Sequence, residues 1–245
     1  MDRLLIGVPV FGQHVYTHKL VEDLDREGAD YVVVDNRGDY PRLHTERVIV
    51  PGRNLGWAGG SNLIFRVAFT EGYTHAMTLN NDTRISKGFV SAILDPQLPK
   101  DAGLITPVYD DRRANKYLEV PYEGPAAEYR PVDRYRRLPM TDGTALAIKC
   151  ESWLETGGFD ERSFGQFSWG ADVDLSLRTL RTGRGIYATE RAFINHLGRK
   201  TATSGAFGRG YHARAAWGMW RGMQTVWGPR WQRFLDPLQV VDFQT

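Results

Sequence analysis

Apolar and polar residues fall in blocks along the first half of this chain. "RLLIGVPV" (Arg3 to Val10) and "ADYVVVD" (Ala29 to Asp35) are almost continuously apolar. Such runs predict strands covered on both faces, as in parallel sheets. Between them Tyr16, Leu20, Val21 and Leu24 share one helical face, and Gly28 supplies a stop. Arg47 to Pro51 predicts a third strand and "HAMTLN" (His75 to Asn80) a fourth. Gly103 to Tyr109 predicts a fifth. Leu63, Ile64, Val67 and Ala68 mark a helix between strands three and four. The alternation of strand and helix predicts an open α/β sheet.

Farther along, the pattern changes. Tyr109 to Met140 is charged, rich in Pro and Tyr, and without helical period. It reads as a long surface excursion holding at most one short strand pair. Gly143 to Lys149 returns to strand character, "CESWLETGGF" reads as a short helix, and "DVDLSLRTLRTG" as another that stops at Gly183. "GIYATE" and "AFINH" read as two short strands.

In open α/β sheets, ligands sit beyond the carboxyl ends of the strands. Three polar clusters occupy those ends: Asp35-Asn36-Arg37, the loop "NLGWAGGSN" (Asn54 to Asn62), and Asn80-Asn81-Asp82. A single such cluster is explained as a turn, since Asn and Asp bond nearby backbone. Three in one half of the chain point to a site. The glycine loop leads into a helix and allows close approach to a ligand, with Ser61 available as the helix cap. Its spacing does not match the dinucleotide fingerprint or the P-loop.

The bulk numbers narrow the class. The 245 residues are 42% hydrophobic and 24% charged, an ordinary globular balance. Cys150 is the only cysteine, which excludes an internal disulfide and a cysteine zinc site. No apolar run approaches the roughly 20 residues needed to span a bilayer. With strand one opening at Arg3, no signal peptide is expected and the cytoplasm is the expected compartment, with peripheral membrane attachment as its variant. A net charge of +2 gives no expectation of nucleic-acid binding. Charge is nevertheless uneven. From Leu197 onward seven Lys and Arg (Arg199, Lys200, Arg209, Arg214, Arg221, Arg230, Arg233) meet two Asp, and four of the seven Trp lie there.

Asp82, at a strand end, and His196, closing "INHLG", would suit a divalent ion such as Mn²⁺ or Mg²⁺ if they meet. The bland alternatives are a turn carboxylate and a hydrogen-bonded histidine. Asp172 and Asp174 begin a predicted helix, where carboxylates are favoured. Asp174 has an obvious partner in Arg178 at i,i+4. Asp172, after Trp169-Gly170-Ala171, is left for general-base work.

In order, "VPVF", "VVVDN", "NLGWAGGSN", "LNNDT", "DGTALAIK", "GGFDERSF", "WGADVDLSLR" and "INH" resemble the family-two inverting glycosyltransferases of the GT-A fold, the rhamnosyltransferase-like branch above all. The resemblance runs from Leu4 to about His196. It implies a sheet of the GT-A type and transfer of a sugar from a UDP-, dTDP- or GDP-sugar to an acceptor hydroxyl. It places Pro9, Val10, Phe11, Asp35, Asn36 and Arg37 around the nucleotide base and ribose. Asn54, Gly56, Gly59 and Asn62 would contact the nucleotide and donor sugar, with Gly143 and Thr144 near the sugar. Asp82, with Asn81 beside it, stands at the D-x-D-like element, and His196 at the late metal ligand. Asp172 stands at the aspartate of a Glu-Asp base motif whose Glu is here Ala171, which leaves Asp174 open as a second register.

The expected layout is a catalytic domain over 1–205 and a Trp/Arg-rich helical extension over 206–245. Three roles stay open for the extension: packing on the catalytic domain, docking to a membrane surface, or forming a homo-oligomer. The acceptor class also stays open among polysaccharide, lipid-linked glycan and protein. Two rivals compete. One is a non-catalytic nucleotide-sugar binder on the same fold. The other is a nucleotidyltransferase, disfavoured because "VPVFGQHV" carries neither Lys nor Arg.

Overall fold

The computed structural model describes residues 2–111, 115–165, 167–197, 210–235 and 237–243. Among these, ten strands form one sheet: β1 (Leu4–Val10), β2 (Asp30–Asp35), β3 (Arg47–Ile49), β4 (His75–Leu79), β5 (Thr83–Ile85), β6 (Ala102–Tyr109), β7 (Arg134–Arg137), β8 (Ala145–Lys149), β9 (Gly185–His196) and β10 (Gln239–Asp242). The order across the sheet is β10-β7-β9-β6-β8-β4-β1-β2-β3, and β5 pairs with β9 off that path. The run β3-β2-β1-β4 is parallel. β8 is antiparallel to both β4 and β6. The expected α/β class is therefore what is found, with the parallel half holding the first three polar clusters at its carboxyl edge.

The helices are α1 (His14–Arg26), α2 (Gly56–Thr70), α3 (Phe89–Ile93), α4 (Cys150–Thr156), α5 (Ala171–Arg181) and α6 (Tyr211–Trp227). Of the apolar positions that predicted α1 and α2, Leu20, Val21, Leu24, Ile64 and Ala68 are fully buried, while Tyr16, Leu63 and Val67 are half-buried. α2 packs against β1 and β4, while α5 packs against β6 and β9.

Several boundaries differ from the sequence reading. α2 starts at Gly56, so most of the supposed glycine loop is its first two turns. Glycine is a poor helix former, but here the space beside it is tight. A Cβ on Gly60 would lie 3.3 Å from Asn36 Nδ2, and one on Gly59 3.0 Å from the Leu55 side chain. Ser61 is consequently not a cap. It sits inside the helix, donating to the Trp57 carbonyl at 2.9 Å and touching Thr78 Oγ1 at 2.8 Å.

The two short late strands are one long strand, β9, interrupted by a register shift against β6 between Pro107 and Val108. The Tyr109 to Met140 stretch is more than surface. Leu118, Ala126 and Leu138 are buried, and β7 joins the main sheet. Its sequence, "RYRR", conceals a strand because its charges are answered from β9. Glu190, 1% exposed, accepts from Arg134 at 2.6 Å and from Arg136 at 2.7 Å.

The C-terminal segment also returns to the sheet. β10 pairs antiparallel with β7, and Trp227 Nε1 donates to Asp174 Oδ1 at 2.8 Å. Arg199, Lys200, Arg209 and Asp236, like the 205/206 boundary, lie outside the described residues. Among the described residues, no helix is long and apolar enough to cross a membrane.

Candidate active site

A cavity of about 720 Å³ opens at the carboxyl edge of the parallel strands. Its floor begins where β1 ends, at Pro9, Val10 and Phe11. Beside them Asn36 ties two strand ends to the next loop. Its N–H donates to the Val10 carbonyl at 2.9 Å, and its Oδ1 accepts from Leu55 N at 3.0 Å. Asn54 Oδ1 accepts from Gly56 N at 2.8 Å and so opens α2. Gly56 and Gly59 line the cavity along that first helical turn. Trp57 donates through Nε1 to Asn80 Oδ1 at 3.1 Å and packs on Phe159. Gly143 must be glycine: a Cβ there would stand 2.1 Å from the Trp57 ring. Thr144 lies beside it on the cavity wall.

The Asn80-Asn81-Asp82 cluster is both a turn and a piece of the wall. Thr83 Oγ1 donates to the Asn80 carbonyl at 2.7 Å, and Asn81 Nδ2 to Thr17 Oγ1 at 3.0 Å. β5 follows directly and is pinned by Asp23 of α1. Asp23 is 1% exposed and takes Arg84 at 2.6 and 2.7 Å and Arg26 at 2.6 Å. Burial alone would raise its carboxyl, but the Arg84 and Arg26 guanidiniums hold it below the usual range.

The antiparallel register Thr83↔His196 then sets Asp82 next to His196. Asp82 Oδ1 and His196 Nε2 are 3.7 Å apart. Two ligands about 2.1 Å from one ion are separated by roughly 3.0–4.2 Å, so the gap fits a shared divalent cation. On the other side of the ring, Nδ1–H donates to Asp111 Oδ2 at 3.0 Å. That bond leaves Nε2 as the ring nitrogen turned toward Asp82, the atom a metal would take. Among the described residues no group of three or more His, Cys, Asp and Glu is arranged to hold a metal. Among the described residues the site thus offers two ligands and an orienting carboxylate, which suits an ion completed by substrate phosphate oxygens and water.

Across the cavity, Asp172 sits in the first turn of α5. Its Oδ2 accepts from Gly143 N at 3.2 Å and its Oδ1 from Val173 N at 2.9 Å. Loss of solvent, reinforced by the neighbouring Asp142 carboxylate, pushes its carboxyl up to about 6. Asp174 points elsewhere. It is buried, with Arg178 on one oxygen at 2.6 and 2.9 Å and Trp227 on the other. Of the two registers, only Asp172 lines the cavity.

Three residues expected to contact the donor do not line the cavity. Asp35 is turned into its own loop, where its oxygens accept from Arg37 N, Gly38 N and Tyr40 N at 2.9–3.1 Å. Arg37 is exposed and paired with Asp39 at 3.0 Å. Asn62 is buried in α2 and clamps the loop after α4. It donates to the Phe159 carbonyl and Glu161, and accepts from Phe159 N. For Asp35 and Asn62 a short polar side chain satisfies backbone groups of a loop, which motif order alone does not reveal.

Other lining residues carried no signal in the sequence. Asp142 looks like a turn residue before glycine, yet it accepts from Thr144 N at 2.8 Å and from the Tyr109 hydroxyl. Burial, and then the Asp142 charge, push the Tyr109 phenol far up, so it stays a donor. Tyr211 and Met219 of α6 complete the wall beside Trp169. Trp169 Nε1 donates to Tyr211 Oη at 3.1 Å. Gly170, at φ +92°, leaves no room for a side chain against Met219 and Phe164.

No family model matches the chain. It is 57% identical over 226 residues to the uncharacterized protein Rv1525 of Mycobacterium tuberculosis (strain ATCC 25618 / H37Rv), a match covering 92% of this chain and 85% of that protein. The uncharacterized protein Mb1552 of Mycobacterium bovis matches at the same identity and coverage. Among solved structures, the mannosyltransferase PcManGT from Pyrobaculum calidifontis, in complex with GDP-Man and Mn²⁺, superposes with a TM-score of 0.63 at 16% identity. That match covers 91% of this chain and 63% of the archaeal one. GalNAc-T7 with UDP, GalNAc and Mn²⁺ superposes at 0.60 with 12% identity, over 80% of this chain and 44% of the other. This chain therefore spans less than two thirds of either solved protein. The fold is GT-A, a mixed sheet flanked by helices.

Proposed function

The chain belongs to the same family as these mycobacterial proteins, and from that premise and the geometry of its cleft we propose that it is an inverting glycosyltransferase. It moves a hexosyl or deoxyhexosyl group from a UDP-, dTDP- or GDP-sugar to an acceptor hydroxyl, with a divalent ion as cofactor. The observation that carries the reading is one cavity lined by a solvent-poor carboxylate, Asp172, and by the Asp82–His196 pair. The two solved GT-A proteins were captured with a nucleotide or nucleotide sugar and Mn²⁺, which supports the same ligands here.

Pro9, Val10, Phe11 and Asn36 hold the nucleotide end, and the opening turn of α2 presents backbone N–H groups toward the diphosphate. Asp82 and His196 would hold Mn²⁺ or Mg²⁺, which when bound supplies positive charge to the diphosphate leaving group. Asp172 accepts the proton of the acceptor hydroxyl. The oxygen forms a bond to the anomeric carbon on the face away from the diphosphate. The anomeric carbon–oxygen bond to phosphate breaks, and the nucleoside diphosphate departs with that electron pair. A carboxyl raised to about 6 is a stronger base than an ordinary aspartate and is still ionised at neutral pH. The C-terminal segment belongs to this machinery, because Tyr211 and Met219 face the same space.

The test is a panel of nucleotide sugars with Mn²⁺, scored for nucleoside diphosphate release and for the anomeric configuration of the product. Release with inversion is expected for one nucleotide class. Thermal stabilisation by a nucleotide sugar without any release would make the protein a binder and overturn the enzyme reading.

A further inference from the structure

Glu161 lines the cleft but belongs neither to the base nor to the metal pair. It follows a turn that brings the chain from α4 back onto α2. Gly157 and Gly158 both take left-handed backbone, at φ +76° and +83°. Gly158 also lies tight against α2, since a Cβ there would stand 2.5 Å from Asn62 Oδ1. Phe159 is buried and packs on Trp57 with ring centroids 4.6 Å apart.

Two side chains fix what comes next. Asn62, 5% exposed inside α2, accepts from Phe159 N at 2.8 Å and donates to the Phe159 carbonyl at 2.9 Å. The same amide nitrogen donates to Glu161 Oε1 at 2.7 Å. Asp160 Oδ1 accepts from Arg162 N at 2.8 Å and from Ser163 N at 3.1 Å, closing the turn around Glu161. Glu161 Oε2 lies 3.2 Å from where a Cβ of Gly59 would be. The carboxylate is thus held against the opening turns of α2, at the cleft.

Trp57 connects Glu161 to the base. It packs on Phe159, two residues before Glu161, and against Gly143, whose N–H donates to Asp172 Oδ2 at 3.2 Å. A sugar whose diphosphate rests at the start of α2 and whose anomeric carbon faces Asp172 lies along Trp57, within reach of Glu161. A carboxylate repels phosphates, so they are not its ligand. Its two oxygens offer about four acceptor sites, of which Asn62 takes one. Sugar hydroxyls are the donors that such a group suits, and bonds to a charged acceptor are the stronger kind.

We propose that Glu161 is a specificity-determining residue that accepts hydrogen bonds from ring hydroxyls of the donor sugar. This rests on the glycosyltransferase reading and deepens it: the donor is a sugar that keeps its hydroxyls on the edge facing α2, and the site rejects analogues that lack one of them.

Calorimetry on the full chain with Mn²⁺ compares wild type with Glu161→Gln. The probes are the nucleotide sugar that gives release or thermal stabilisation in the panel, and its own nucleoside diphosphate. Glutamine keeps an acceptor for Asn62, so a residue that only latches its loop tolerates this change. The variant is expected to melt within a few degrees of wild type and to bind the nucleoside diphosphate within about twofold. Its affinity for the nucleotide sugar is expected to fall about tenfold. The monodeoxy analogues of that sugar complete the cycle. One of them is expected to bind wild type about tenfold more weakly than the parent does, and to bind the variant as well as the parent does.

Unchanged affinity of the variant for the nucleotide sugar overturns the proposal. So does an equal loss for the nucleoside diphosphate, or a large fall in melting temperature, since either makes Glu161 a support for the loop. A change confined to the KM of the acceptor moves Glu161 to the other substrate and also overturns it, as does a deoxy penalty of the same size in both proteins. Nucleotide release by wild type with unchanged affinity in the variant sinks this inference alone. A sugar-dependent loss in the variant without any release by wild type sinks only the enzyme reading.

Discussion

The two walls of the cleft are built on different terms. The wall from β1, β2, α2 and β4 is a set of short polar side chains that bond one another and the backbone: Asn36 to Leu55, Asn54 to Gly56, Trp57 to Asn80, Ser61 to Thr78, Asn81 to Thr17. The wall from the loop before α5 and from α6 is largely aromatic, with Phe167, Trp169 and Tyr211 facing the cleft, and the same helix exposes Trp217 and Trp220 on another face. A nucleotide and diphosphate keep the same shape from one sugar donor to the next, so their wall gains from being fixed beforehand. On the proposed reading the second wall meets the acceptor, which differs from one such enzyme to the next.

The sharpest way to break that comparison is at α5, where two aspartates two residues apart belong to different tasks. Asp172→Asn should lower kcat by about a thousandfold while nucleotide affinity stays within about twofold; kinetics and calorimetry on one preparation check both. The same change should stabilise the fold at pH 8. The Asp172 carboxyl titrates at about 6 in the folded chain, above the ordinary aspartate value. Its proton is therefore held more tightly when folded, and stability falls as pH rises from about 4 to about 6. Asn removes that cost, a gain of about 1–3 kcal/mol readable as a higher melting temperature.

Asp174→Ala should do the reverse. It strips Arg178 and Trp227 of their shared partner and should cost about 3–5 kcal/mol in denaturant unfolding. Any protein that remains folded should show nearly normal nucleotide affinity.

On the opposite wall, His196→Ala should reduce the Mn²⁺ dependence of turnover by about 10–100-fold, and Asp111→Asn, which loosens the imidazole without removing it, by less. A metal titration of thermal stabilisation in the presence of nucleoside diphosphate distinguishes the two. Gly143→Ala tests how rigid the donor wall is. Its methyl must displace Trp57, and the expected cost is about 1–3 kcal/mol in donor affinity. The smallest effect belongs to Asp142→Asn. Removing that neighbouring charge should shift the acidic limb of kcat/KM below pH 6 by less than about one unit.

The comparison also explains what the sequence made legible. Strands β1, β2, β4 and β6 are buried on both faces, so hydrophobic runs announced them. The strand-end polar clusters followed from the topology. The Asp82–His196 meeting required a family resemblance, because nothing local joins residues so far apart in the chain. β7 and β10 escaped because one is mostly arginine, neutralised by a glutamate on β9, and the other is an exposed edge of four residues. Asp35 and Asn62 fall outside the cavity lining, and a polar residue at a strand end or helix turn looks the same in sequence whether it faces a ligand or holds a loop. Tyr211 and Met219 were invisible because their roles come from packing across the cleft, and Asp142, though it opens the quoted DGTALAIK stretch, was assigned no role there.

One pairing carries a consequence for how such chains can vary. Ile85, Arg84 and Thr83 lie opposite Ile194, Asn195 and His196. Side chains along a strand alternate between faces, so gaining or losing a single residue near the end of β9 would swing the imidazole to the far side of the sheet. Natural length differences among descendants of this gene should therefore be absent from the last residues of β9.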